Sequence, residues 1–286
     1  MDRKRSDMLR EDRMLAKVAR LLGPALLRRV PPRRWYSTLS MVLSQAPEQT
    51  KLQHGVLSMW GSLQNLKANG FAPRAVIDVG AWIGDWTEHV HAIFPEARFL
   101  MVEANPAKQP GLEAIADRLG ASVRLRMALL GPEARAGAPF YAMEAGSSVL
   151  PENTTFDRDE LALEMTTLDA VSDGMAPGPL LLKVDVQGYE LEVLRGGART
   201  LARADVVLLE VSLLEYNQGA PLMPEVVAFM NSAGFVPYDV CGQFRRETDT
   251  ALCQIDIMFV RRDSPLRAKK TFWKRDPGQS GQRGPT

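Results

Sequence analysis

The chain has 286 residues, 45% of them hydrophobic and 24% charged, enough apolar material for one large α/β domain with extensions or two small domains. Its net charge of +1 is unevenly spread: residues 1–36 carry +7, residues 261–286 carry +6, and the body between them carries −12. An acidic body with basic ends argues against the layout of a nucleic-acid groove, in which positive charge lines the working surface.

Two readings of the basic ends stay open: attachment to an anionic membrane surface, or solubilising tails without a partner. Residues 8–30 read as a helix stopped by Pro31-Pro32, with "MLAKVARLLGPALLRRV" amphipathic. "TLSMVLSQA" and "VLSMWGSLQNLKANG" read as further helices, the second ended by Gly70. The start lacks the apolar core of a signal peptide, and no run approaches the about 18 apolar residues of a membrane span. The expectation is a cytoplasmic protein, in peripheral contact with the inner membrane face if the basic ends dock there.

From Ala75 the pattern changes. Short apolar runs alternate with helical ones: "AVIDV", "DWTEHVHAIF", "RFLMVEA", "AKQPGLEAIADRLG", "SVRLRMAL". This alternation predicts βαβ units and a parallel sheet. The stretch Gly131 to Gly178 is less regular, with "APFYAME" and "EMTTLDAV" as expected strands and a turn at Gly146–Ser148. "LLLKVDV" and "DVVLLEVS" read as fully buried strands around a helix "YELEVLRGGARTL". A helix "MPEVVAFMNSAG" precedes two late strands, "FVPYDV" and "QIDIMFV", placed to pair antiparallel. Cys241 and Cys253 read as buried free thiols, with a bridge between facing strands as the alternative.

The most informative stretch is "AVIDVGAWIGDWT". A strand, a glycine turn and a helix make a generic nucleotide-binding beginning. A dinucleotide fingerprint needs G-x-G-x-x-G, whereas this sequence has D-x-G-x-x-x-G with bulky Trp82 at the second glycine's position, which leaves a pyrophosphate no room. That spacing argues against a dehydrogenase. Glu103, about twenty residues on at the end of "RFLMVEA", is placed to accept both hydroxyls of a ribose, and Asn105-Pro106 turns the chain away. A ribose without phosphates points to S-adenosylmethionine. Asp185 and Glu210 each end a buried strand where open α/β sheets hold their ligands, either as functional acids or as structural caps.

Together "VIDVGAWIGDWT", "VEANP", "LLKVDVQGYELEVLRGG" and "LLEVSL" resemble the FkbM family of S-adenosylmethionine-dependent methyltransferases, over about Ala75 to Val260. The resemblance implies an α/β class I methyltransferase fold: a seven-stranded mixed sheet with an antiparallel C-terminal hairpin and helices on both faces. The expected organisation is an N-terminal helical extension over 1–70, the methyltransferase domain over 71–262 and a basic, disordered tail over 263–286. It implies cofactor contacts from Asp78, Gly80, Ala81, Trp82 and Gly84, from Glu103, Ala104 and Asn105, from Ala128 and Leu129 beside the adenine, and from Asp185. Gly146-Ser147-Ser148 matches a family loop over the cofactor. Trp82 departs from the family, where smaller residues are usual; it either narrows the turn or covers it.

The activity implied is O-methylation of a sugar, glycan or polyketide-type small molecule, with no nucleic acid as partner; an oligomer stays open. Alternatives are a catalytically inactive binding protein, or a methyltransferase acting on protein or nucleic acid. Of the three histidines, His89 and His91 lie on different faces of one helix, so the base is expected to be a carboxylate, Asp185 or Glu210. The second reading has these two acids bind Mg²⁺, which would acidify the acceptor hydroxyl. Lys183 shares a side of its strand with Asp185 and is expected to neutralise it.

Overall fold

The computed structural model describes residues 46–53 and 55–271, and the chain divides into two compact units, 1–56 and 57–286. In the first unit the described part contains helix α1 (Glu48–Gln53), closed by a Lys51–Glu48 ion pair of 2.7 Å. The helix expected over 8–30, that expected over 38–46 save its last residue, the basic arm 1–36 and the end of the tail lie outside the described residues.

The second unit opens with α2 (Met59–Ala68), capped by Ser58, whose hydroxyl accepts from the Gly61 amide. The expected alternation follows: β1 (Ala75–Val79), α3 (Asp85–Ile93), β2 (Arg98–Glu103), α4 (Gln109–Leu119), β3 (Val123–Met127). Next come β4 (Leu129–Leu130), β5 (Arg135–Ala142), β6 (Asp159–Thr166) and the single turn α5 (Leu168–Val171). The rest is β7 (Leu180–Val184), α6 (Glu190–Arg195), α7 (Ala198–Arg203), β8 (Val206–Ser212), α8 (Met223–Ser232), β9 (Phe235–Arg245) and β10 (Leu252–Arg261).

Seven strands form one sheet in the order β3-β2-β1-β7-β8-β10-β9. The first five pair parallel, and β10 runs antiparallel to both its neighbours. Parallel strands are covered on both faces, which is why β1 and β7 are apolar almost without a break and wholly buried. Alternate residues serve opposite faces: Ile77 and Val79 pack with Leu182, Val193 and Met230, while Val76 packs with Leu63, Leu66 and Val90. Leu63 and Leu66 thus bring α2 into the core of this unit. The strand order reverses between β1 and β7, and the loops after them diverge into a crevice at the sheet's C-terminal edge, where such sheets bind ligands. A smaller sheet, β4-β6-β5, stands apart.

Three local expectations are corrected. "LDAV" is helical, not strand, because the Thr167 hydroxyl accepts from the Ala170 amide and starts a turn. "YELEVLRGGARTL" is two helices: a Cβ on Gly196 would lie 2.0 Å from the Gly131 carbonyl oxygen and one on Gly197 2.5 Å from Leu168, so the glycines admit these neighbours where the helix breaks. "SVRLRMAL" divides at Ala128, β3 staying in the large sheet and β4 joining the small one. Both cysteines are free and buried. Among the described residues no helix is long and apolar enough to cross a membrane.

The sheet's centre holds charge. Asp78 on β1 and Lys183 on β7, register partners, are 1% and 6% exposed, with Nζ 2.9 Å from Oδ1. Thr87 of α3 donates to the other Asp78 oxygen at 2.7 Å. Lys183 also donates to the Gly80 carbonyl at 2.9 Å and lies 3.7 Å from Asp185, so its main partner is Asp78, not Asp185 as expected. Burial alone would lower the Lys183 pKa, but the Asp78 and Asp185 carboxylates outweigh it and hold the ammonium charged. Removing one member of such a pair strands the other, at about 3–5 kcal/mol, whereas replacing both with apolar groups is near neutral. Lys183→Met should therefore lose about 3–5 kcal/mol in urea denaturation, and Asp78→Leu/Lys183→Met should recover most of it. A double variant no more stable than the single one would show that the pair is not the unit.

Candidate active site

Two cavities open at the C-terminal ends of β1, β2, β7 and β8. The first, about 200 Å³, has apolar walls from Val79, Val102, Ala128, Leu129, Leu130 and Phe140, with polar groups from Glu103, Asn105 and Asp185. The second, about 310 Å³, is lined by Trp60, Trp86, Leu208, Glu210 and Asp256 among others. Of the described residues, Gly80, Trp82 and Asp185 line both.

Glu103 ends β2 with its carboxylate 7% exposed as a residue and fully oriented by amides. Oε2 accepts from Trp82 N–H at 2.8 Å; Oε1 accepts from Ala104 and Asn105 N–H at 3.0 and 2.8 Å. Burial pushes its pKa up, against the pull of those amides. A carboxylate has about four acceptor positions, so three amides leave one fully open to a ribose hydroxyl, and the second hydroxyl of the diol must share.

Gly80 has φ +75°, and a Cβ there would lie 1.8 Å from the Asp185 carbonyl oxygen. The turn after β1 and the loop after β7 touch backbone to backbone, as only glycine permits. Trp82 (φ 51°) and Gln187 (φ 55°), one in each loop, also hold left-handed backbone, at about 1–2 kcal/mol apiece. Surrounding contacts fix both. The Trp82 indole N–H donates to the Glu144 carbonyl at 2.6 Å, so Trp82 covers the turn and reaches the loop 143–148. That loop is tied to Asn105, whose side-chain amide donates to Met143 O at 3.2 Å, and to the β7 loop, where Ser148 donates to Gln187 O at 2.8 Å. Gly146, Ser147 and Ser148 line the first cavity, where the sequence placed them.

Other sequence assignments move. Asp78 is committed to Lys183 and Thr87 and does not line the first cavity. Gly84 faces Ile115 and Leu112 of α4, where a Cβ would come within 2.7 and 3.1 Å, so it serves helix packing. Ala81 lines the second cavity; Ala104 and Asn105 line the first. His91 contacts Ser122, while His89 stacks on Trp60 at 4.3 Å.

Asp185 and Glu210 do come together, but through an amide. Gln187 Nε2 donates to Asp185 Oδ1 at 3.1 Å and to Glu210 Oε2 at 2.6 Å, and Gln254 Nε2 adds a second donor to Glu210 at 2.9 Å. A cation between the two acids would have to displace that amide, with the Lys183 ammonium 3.7 Å from Asp185. Among the described residues no group of three or more His, Cys, Asp or Glu is placed to hold a metal. The donor set does not fit Mg²⁺. Burial, then the Asp185, Asp256 and Glu190 carboxylates, raise Glu210 well above the ordinary glutamate range.

The sequence analysis missed Trp60, Trp86 and Asp256. Asp256 carries a faint signal: with Gln254 it marks one polar face of an otherwise apolar strand, opposite Glu210 in register. Glu190 is a buried clasp, its Oε1 accepting from the Val186 and Gly188 amides at 3.0 and 3.1 Å.

The reversed strand beside the sheet's edge, the acid after β2 and the glycine contact after β1 define a class: a nucleoside-binding α/β methyltransferase. A family model described as "Methyltransferase FkbM domain" matches residues 78–237, more than half of the chain, and the chain belongs to this S-adenosylmethionine-dependent methyltransferase family. Among solved structures it is similar to a methyltransferase FkbM from Methylobacillus flagellatus KT, at 14% identity and TM-score 0.44, covering 65% of this chain and 44% of that one. A Burkholderia thailandensis 1,6-didemethyltoxoflavin-N1-methyltransferase with bound S-adenosylhomocysteine is 14% identical, with TM-score 0.40, covering 82% of this chain and 92% of that one. The magnesium protoporphyrin IX methyltransferase of Synechocystis PCC 6803 with bound SAM is 11% identical, with TM-score 0.40 and coverage of 70% and 76%. No curated protein matches the chain in sequence.

Burial raises the Glu190 carboxyl from its ordinary 4.5 to about 7. The folded state therefore holds a proton that the unfolded state has released, and stability falls as pH rises from about 4.5 to about 7, then levels. Glu190→Gln keeps an oxygen for both amides without that loss. It should match the wild type near pH 4 and exceed it by on the order of 2–3 kcal/mol at pH 8. Urea midpoints showing the same gap at both pH values would contradict this.

Proposed function

We propose that the enzyme methylates a hydroxyl of a sugar, glycan or polyketide-type small molecule, with S-adenosylmethionine in the first cavity and the acceptor in the second. The observation that carries this reading is the position of Asp185, the one carboxylate among the described residues that lines both cavities. The first cavity suits the cofactor's nucleoside: an apolar slot between Ala128, Leu130 and Phe140, and an acid with one open acceptor position at its edge.

Bound there, S-adenosylmethionine supplies a methyl group already activated by a positive sulfur. What is left to this chain is alignment of the acceptor oxygen and removal of its proton. Asp185 is placed for the second task. Gln187 fixes one of its oxygens, and Lys183, 3.7 Å from the other, holds it in orientation. Glu210, its pKa raised by burial and the acids around it, is held by two amide donors and serves as a neighbour to Asp185.

Asp185→Asn should bind S-adenosylhomocysteine within about threefold of the wild type and lose about 10²- to 10⁴-fold in turnover, the usual worth of a general base. Full turnover in that variant would make the acid structural. Glu103→Ala should weaken S-adenosylmethionine at least tenfold by calorimetry, because one charge-assisted hydrogen bond contributes about 1.5–3 kcal/mol. Unchanged affinity in a folded variant would remove Glu103 from the site.

A further inference from the structure

The second cavity is unlike the first in its chemistry. Trp60, Trp82 and Trp86, all the tryptophans among the described residues, line it. Four carboxyl groups line it as well, Asp85, Asp185, Glu210 and Asp256, against one lysine. That lysine is paired first with Asp78, which does not line the cavity, at 2.9 Å, and lies 3.7 Å from Asp185. Donors are equally scarce. The Trp82 indole N–H is taken by Glu144, and the Gln187 and Gln254 amides by Glu210 and Asp185. Trp86, 7% exposed, has an indole N–H with no partner.

Such a lining is rich in carboxyl groups and aromatic surface and poor in free donors, the unpartnered Trp86 N–H excepted. A neutral polyol brings donors and acceptors together, and its own oxygens would face carboxylates. An ammonium brings three donors and a positive charge, and indole rings attract cations within about 6 Å, as Lys183 at 5.5 Å from the Trp86 ring and Lys108 at 6.0 Å from the Trp82 ring already do on one side of each. The like-charge crowding is visible without a ligand: burial, then the Asp185 carboxylate, push Asp256 up to about 6. Asp256 also lies flat on Gly242 of β9, where a Cβ would come within 1.8 Å of Oδ2, so the strand is built to admit this carboxylate.

We propose that the acceptor carries a protonated amine beside the hydroxyl that receives the methyl group, with the amine seated against Asp256 and the tryptophan side chains of the second cavity. This inference rests on the methyltransferase reading above and narrows its substrate class. The amine is a recognition group, and the transferred methyl still goes to oxygen.

The test is calorimetry on enzyme saturated with S-adenosylhomocysteine, using D-glucosamine, N-acetyl-D-glucosamine and D-glucose as matched probes. The three share their remaining ring hydroxyls and differ at the amine. D-glucosamine should bind at least tenfold more tightly than either neutral sugar, and Asp256→Asn should erase most of that advantage while S-adenosylhomocysteine affinity stays within threefold. Equal or weaker binding of the amine overturns the proposal, as does absence of binding by all three to a cofactor-loaded enzyme. Preserved amine preference in Asp256→Asn overturns the seat assigned to it. Failure of the wild type to bind S-adenosylhomocysteine is a different result, and defeats the methyltransferase reading itself along with this inference.

Discussion

One buried ammonium fixes the geometry on which both cavities depend. Lys183 reaches from β7 to the Asp78 carboxylate and the Gly80 carbonyl on the β1 side, each at 2.9 Å. It bridges the two strands between which the order of the sheet reverses, where no further strand can hold the diverging loops together. Gly80 completes the bridge, since its missing Cβ lets the β1 turn rest directly on the Asp185 carbonyl. A charge in the middle of a sheet is costly unless paired and hydrogen-bonded. Here it is both, and the result is a crevice whose two lips cannot drift apart.

That rigidity explains how two bulky residues persist in left-handed backbone. Trp82 and Gln187 follow Gly80 and Asp185 by two positions each. Strain of this kind survives only where the surroundings over-determine it. Trp82 is held by its amide on Glu103 and its indole on Glu144; Gln187 is held by two carboxylates and by Ser148. The loop 143–148 therefore touches three of the four sequence blocks that carry the family resemblance, and the separate small sheet supplies it through β5. Those three blocks are walls of the same cavity.

The alternation of elements was legible in the sequence because its signal is local: apolar runs of five to seven residues, punctuated by glycine, read directly as buried strands. Glu103 and Asp185 were legible too, since strand ends of an open sheet face its crevice. The roles of Asp78 and Gly84 were not. Motif spacing marks a glycine that something approaches closely, and cannot say whether that is a ligand or, as at Gly84, Leu112 and Ile115 of the next helix. The second cavity was invisible because its walls come from α2, α3, β8 and β10, and each residue has an ordinary local reading. Trp86 passes for one apolar position of an amphipathic helix, and Asp256 for one polar position of an alternating strand. Only the fold makes them neighbours.

The placement of Asp185 has an electrostatic consequence for alkyl transfer from a positive sulfur. In the proposed reaction Asp185 would lose its negative charge on taking the acceptor's proton, in the same event that removes the positive charge from the donor. In water both charges are well solvated, and their mutual loss gains little. In a cavity walled by tryptophan, valine and leucine, solvation is poorer, and neutralising the pair becomes more favourable. Lys183 would counter this if its charge were free, but Asp78 absorbs most of it at 2.9 Å, against 3.7 Å to Asp185. Asp78, which lines neither cavity, thereby holds the lysine that sits beside Asp185. A motif acid first assigned to the cofactor thus works at one remove, through the lysine, on the carboxylate where the two cavities meet.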